Sequence, residues 1–119
     1  KGAKKSAVKS NQAAIIKYIA AELKKCEIGE TDVMVKNTDK LVCTERKTGT
    51  KTADAVKKAL GSEFKNPYRT SESAIQTSSI SCSGTGEGQT AVVQSGTTIT
   101  VSSCEVDGAT LLSGTVTIE

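Results

Sequence analysis

Between Ala3 and Cys26 the apolar positions recur with the helical period. Val8, Gln12, Ile15, Ile16, Ile19, Leu23 and Cys26 share one stripe about 100° wide, the width of a core-facing helix. No proline or internal glycine interrupts it, and Gly29 is placed to end it. Opposite the stripe, Lys17 and Lys24 lie among Ser6, Ser10, Ala3, Ala7, Ala14 and Ala21, so that face is small rather than charged. Alanine is the best helix former, and a small face also lets other helices approach closely. The pattern is compatible with both.

After Gly29 the chain turns polar and reads as an irregular region, residues 27–73, with two ordered pieces inside it. "KLVC" (Lys40 to Cys43) is a short apolar run that reads as a strand. "TKTADAVKKALG" reads as a brief helix with Thr52 as its cap, Ala53, Val56, Ala59 and Leu60 on its apolar face and Gly61 after its end. Lys65 to Tyr68, holding the only proline, Pro67, is a turn.

From residue 74 to 119 the composition shifts to Ser, Thr, Val, Ile and Gly, and four strands are readable: "AIQTSSISC", "QTAVVQS", "TTITVSSC" and "TLLSGTVTIE". Ile99 and Val101 alternate with threonines, as do Val116 and Ile118, the period of a half-buried antiparallel strand. Hairpin turns are expected at Ser95-Gly96-Thr97 and at Val106-Asp107-Gly108-Ala109. Cys104 has the opposite parity to Ile99 and Val101, so either Ser102-Ser103 bulges or Cys104 faces away from the core. The expected fold class is α+β. A long N-terminal amphipathic helix (1–26) packs on a four-stranded antiparallel meander (74–119), with an irregular, disulfide-tied loop between, all in a single domain.

At 119 residues, 36% hydrophobic and 3% aromatic, the chain must build its core from aliphatic side chains, and such a core gains from covalent staples. Four cysteines are available. There is no histidine and no Cys-x-x-Cys pair, which argues against zinc and for two disulfides formed in an oxidising compartment. Three pairings are open. Cys26–Cys43 and Cys82–Cys104 are favoured because each closes a local loop of about 18 to 23 residues, worth ~3 kcal/mol by chain entropy.

The net charge of +3 is uneven: residues 1–60 carry 14 Lys/Arg against 7 Asp/Glu, and residues 61–119 carry 2 against 6. Arg46, Lys47, Lys51, Lys57 and Lys58 are the candidate contacts for DNA or another polyanion. A solvated basic face is the preferred reading, because stacking aromatics are scarce. "SGTGEGQT", with Gly84, Gly86 and Gly88, precedes a strand and lacks the Gly-Lys-Ser/Thr of a phosphate loop, so it reads as a hairpin loop. Glu27, Glu30 and Asp32 cluster around Gly29 in the manner of an acidic turn. With no histidine to activate a serine, no Ser-Lys pair that stands out among so many serines and lysines, and scattered carboxylates, no catalytic site, metal, cofactor or small-molecule substrate is expected.

"AKKSAVKSNQAAI" resembles the segment just downstream of the membrane-spanning stretch in type IV pilins and pseudopilins, through Ala3, Lys4, Ser6, Lys9 and Asn11. The motif covers about twenty residues; the order helix, variable loop, antiparallel sheet and cysteine ties is similar over the whole chain. Two cysteine pairs and a small head depart from many members. The resemblance implies a structural subunit that polymerises through its N-terminal helix into a cell-surface pilus, serving adhesion, motility or DNA uptake. Before assembly its head would stand in the periplasm, anchored in the inner membrane. Ala3, Ala7, Ala14 and Ala21 would then be filament-packing positions. The partners implied are other copies of the chain, other pilins and the inner-membrane assembly machinery, with a surface receptor or DNA beyond them. It also implies an apolar segment of about 20 residues upstream, after a short basic leader ending in Gly. A pseudopilin of type II secretion, a secreted adhesive or DNA-binding module, and an unrelated secreted β-domain with a helical arm are the alternatives.

Overall fold

The computed structural model describes residues 2–80, 82, 88–104 and 112–119. Its first element is α1 (Gly2–Glu27), whose 26 residues, at ~1.5 Å each, span ~39 Å. That is nearly the 43 Å long axis of the molecule. The helix ends as a Schellman motif. Glu30 donates its backbone N–H to Lys25 (3.0 Å) and Gly29 to Cys26 (3.3 Å), with Gly29 at φ +108°.

Residues 30–73 are more ordered than their polarity suggests. A hairpin pairs β1 (Asp32–Lys36) with β2 (Asp39–Val42), and a 3₁₀ turn (Cys43–Glu45) follows. Next come α2 (Lys51–Leu60) and a second hairpin of β3 (Lys65–Asn66) and β4 (Arg69–Ser73), turned at Pro67 as the sequence suggests. The β1–β2 register shifts between Val33 and Lys36. Met34 there takes φ +54°, which turns both Val33 and Met34 into the core and breaks the alternation that would have revealed a strand.

The remaining strands, β5 (Ile75–Gln76), β6 (Thr90–Ser95), β7 (Thr98–Ser103) and β8 (Leu112–Thr117), form one sheet in the order β5-β6-β7-β8. β6, β7 and β8 are antiparallel neighbours, and β6 turns into β7 through Gly96-Thr97. β5 pairs parallel to β6. The expected helix on a four-stranded antiparallel meander is therefore corrected. The chain is a small α+β protein in which the described residues form two α-helices and strands divided among three sheets, and the four-stranded sheet is mixed. The parallel strand is only two residues long, so of the nine-residue run "AIQTSSISC" only Ile75 and Gln76 pair among the described residues. The middle region is likewise corrected from an irregular loop to two hairpins and a helix.

The parity of Cys104 also has a simpler resolution than either expectation. Both ladders of β7 run without a shift from Thr98 to Ser103, so Ser102-Ser103 does not bulge; Cys104 lies beyond the strand and is fully buried. Both disulfides have the expected pairing, Cys26–Cys43 and Cys82–Cys104. The first fastens the end of α1 to the end of β2. The Val106 to Ala109 hairpin and Gly84 and Gly86 fall outside the described residues.

One aliphatic core joins these parts: Ile15, Ile19 and Leu23 of α1, Val33, Met34 and Leu41 of the first hairpin, Val56 and Leu60 of α2, and Ile75, Val92, Ile99 and Val101 of the sheet. Tyr18 and Phe64 pack at its margin.

Candidate assembly surface and the contacts that hold it

The buried stripe of α1 is the predicted one. Val8, Gln12, Ile15, Ile19, Leu23 and Cys26 are buried, and Ile16 is half-buried. Gln12 is the stripe's polar member, and its position is explained by the sheet. Its amide donates to the backbone carbonyls of Val101 (3.0 Å) and Leu112 (3.2 Å), and its carbonyl accepts from the Ser103 hydroxyl. Both its amide and its carbonyl are partnered at a buried site, where an unpaired amide is costly. Beside it, Gly114 of β8 lets the helix approach: a β-carbon there would come within 2.8 Å of Ile16 Cδ1. Near its other end Glu22 accepts the backbone N–H of Met34 (2.7 Å) and the Lys25 ammonium (2.8 Å). The left-handed Met34 backbone is thus held by a helix carboxylate, and the Glu22 hydrogen bond raises the Lys25 pKa.

The opposite face of α1 is open. Ser6, Ser10, Ala13, Ala14, Lys17, Ala20, Ala21 and Lys24 are exposed. The two faces differ in size more than in polarity, because so much of the outer face is alanine. Of the expected packing positions, Ala14 and Ala21 are exposed and Ala7 is half-buried; the Ala3 side chain lies outside the described residues.

The basic residues separate into two groups. Arg46 is half-buried and committed internally: its guanidinium donates to the backbone oxygens of Cys43 (2.7 Å) and Glu119 (2.8 and 3.2 Å). It ties the 3₁₀ turn to the residue after Ile118 and is a fold contact. Lys47, Lys51 and Lys58 are exposed and Lys57 is half-exposed; Lys57 and Lys58 border a shallow depression with Asp54.

Sequence reasoning missed the contact that starts α2. The helix begins at Lys51, one residue before the expected cap, and Thr52 lies buried inside its first turn, its hydroxyl donating to Arg46 O (2.6 Å). The cap comes from the sheet instead. Gln94 Oε1 accepts from the backbone N–H groups of Thr52 (2.9 Å) and Ala53 (3.2 Å), and its Nε2 donates to Arg46 O (2.8 Å) and Gly96 O (3.3 Å). An amide oxygen at a helix N-terminus satisfies donors that have no partner within the helix.

Among the described residues no three His, Cys, Asp or Glu side chains are grouped as metal ligands, and no helix is long and apolar enough to cross a membrane. Asp32 pairs with Lys40 (3.1 Å) and Glu27 with Lys24 (3.7 Å). The chain matches no family model, no curated protein and no solved structure.

Proposed function

We propose that this chain is the head of a type IV pilin-like subunit that assembles into a surface filament through α1. The observation that carries the reading is the exposed small-residue face of α1, from Ser10 through Ala14 to Ala21, on the side opposite a stripe already committed to the head. The resemblance of "AKKSAVKSNQAAI" to the pilin helix supports it. So do the two disulfides, which suit an exported protein. In this reading the head contributes packing rather than chemistry. Helices of neighbouring subunits approach closely where side chains are small, as they are on this face of α1.

Replacing Ala14 or Ala21 by Trp in the full-length parent tests this. Filaments should disappear by electron microscopy while the melting temperature of the head stays within a degree or two. Normal filaments with both substitutions overturn the reading, as does a parent gene in which the segment upstream of Lys1 is polar.

A further inference from the structure

Lys17 stands at the centre of the exposed face of α1. Its neighbours on the helix surface, three and four positions away, are Ala13, Ala14, Ala20 and Ala21, and all are exposed. Lys17 is exposed as well and holds no hydrogen bond or ion pair among the described residues. A surface that closes on these alanines takes the ammonium out of water, which is costly unless a counter-charge meets it there.

One carboxylate of the chain is in the matching state. Glu72 of β4 is exposed and holds no hydrogen bond or ion pair among the described residues. By strand alternation Thr70 and Glu72 share one face of the β3–β4 hairpin, whereas Arg69, Ser73 and Lys65, the residue paired with Ser73, share the other. No cation therefore stands beside Glu72 on its own face. Each of the other described carboxylates holds a partner, as Glu22 and Asp32 do, or has a lysine or arginine close by, as Asp39 and Glu45 do. The wider charge distribution agrees: α1 belongs to the basic half of the chain and β4 to the acidic half.

We infer that Lys17 of one copy pairs with Glu72 of the next, and that this pair fixes the register between them. The inference rests on the filament reading, which seats a neighbouring copy on this face. A surface of alanine and serine is smooth and sets no register by itself; an ion pair between two otherwise small surfaces does. The placement suits copies that run parallel. Asn11 donates to Lys65 O (3.5 Å) and Lys65 pairs with Ser73, so Glu72 lies near the level of Asn11 on its own α1. Lys17 is six residues further along that helix, ~9 Å at the helical rise. A neighbour displaced by about that distance toward the Cys26 end, with α1 pointing the same way, brings its Glu72 level with Lys17. The contact joins two different surfaces and repeats without closing, which extends a filament.

Charge reversal in the full-length parent tests this, with filament yield read by electron microscopy. Lys17→Glu and Glu72→Lys should each lower the yield by about tenfold or more, and combining them should restore most of it, because the pair is re-formed with its signs exchanged. Both side chains are exposed, so the melting temperature of the head should stay the same throughout. On unaltered filaments, zero-length coupling of amines to carboxylates should join Lys17 to Glu72 between subunits, as peptide mapping would show. Ala14→Trp is measured alongside. If it abolishes filaments while the charge variants assemble normally, or if the combined variant is no better than either single one, the pairing is overturned and the filament reading stands. Normal filaments from every variant, Ala14→Trp included, overturn both.

Discussion

Gln94 on β6 caps α2 across 42 positions of sequence, its side-chain oxygen 2.9 Å from the Thr52 amide. The same side chain reaches Arg46 O, so one amide joins the sheet, the helix start and the connection between them. Gln94→Ala should cost ~1–3 kcal/mol, because two buried helix donors lose their acceptor and Arg46 O keeps only the Thr52 hydroxyl. Denaturant unfolding measures it. Gln94→Glu should recover only part of the loss: it restores the acceptor at the positive helix end but not the donor to Arg46.

Gln12 gives the matching prediction for α1. Gln12→Leu fits the apolar stripe by pattern yet should destabilise by ~1–3 kcal/mol, since the Ser103 hydroxyl and the extra contacts at Val101 and Leu112 go unanswered. The double variant Gln12→Leu, Ser103→Ala should be less damaging than the sum of the two single changes, because it removes both polar groups together.

Gly88 sits at φ +83°, donates to Cys104 O (3.1 Å), and has the buried Asn66 against it; a β-carbon would lie 2.0 Å from Asn66 Oδ1. Gly88→Ala should therefore strain the backbone and displace the Asn66 oxygen that accepts the Tyr68 amide at 2.8 Å. A loss of ~2 kcal/mol or more is expected from those terms together. Gly96→Ala, at φ +60° with open space around it, meets only the backbone cost and serves as the comparison.

The Tyr18 phenol is pushed up to about 12, chiefly by burial, with the Glu22 and Glu63 carboxylates adding to it. Its folded pKa lies above its unfolded value of 10.0, so the folded state holds the proton longer. Its contribution is whole below pH 10 and is lost as pH rises toward 12. Tyrosinate absorbance should show this tyrosine ionising late or together with unfolding. Tyr18→Phe should flatten the alkaline part of the stability curve.

What the sequence made legible was local or periodic. The α1 stripe follows from a 3.6-residue repeat, α2 from Ala53, Val56, Ala59 and Leu60, and the β6–β7 hairpin from alternation around Gly96. Both disulfides followed from loop closure. What stayed hidden was short or remote. β1 loses its alternation at Met34, β3 and β5 are two residues each, and charged residues at Asp32, Lys36 and Asp39 look like loop. Gln94 and Glu22 gave no local signal because their partners are backbone groups of other elements. Gln12 gave one: a polar residue in the middle of an apolar stripe marks a buried acceptor or donor across from it. On α1, Ala14 and Ala21 are exposed opposite the buried stripe, as the helical wheel has them. Arg46 was grouped with the lysines by charge alone, although its half-buried guanidinium serves the fold.

The Cys26–Cys43 bond fixes how the molecule would carry tension. A pull along α1 reaches Cys26 and crosses to Cys43 through a covalent link, bypassing residues 27–42. From there it passes to α2 and, through Arg46, to the backbone at Glu119. The β1–β2 hairpin is held to α1 by the Glu22–Met34 hydrogen bond and core packing, both weaker than the covalent link, so its exposed positions, Val35 among them, are free to change in sequence without cutting that line.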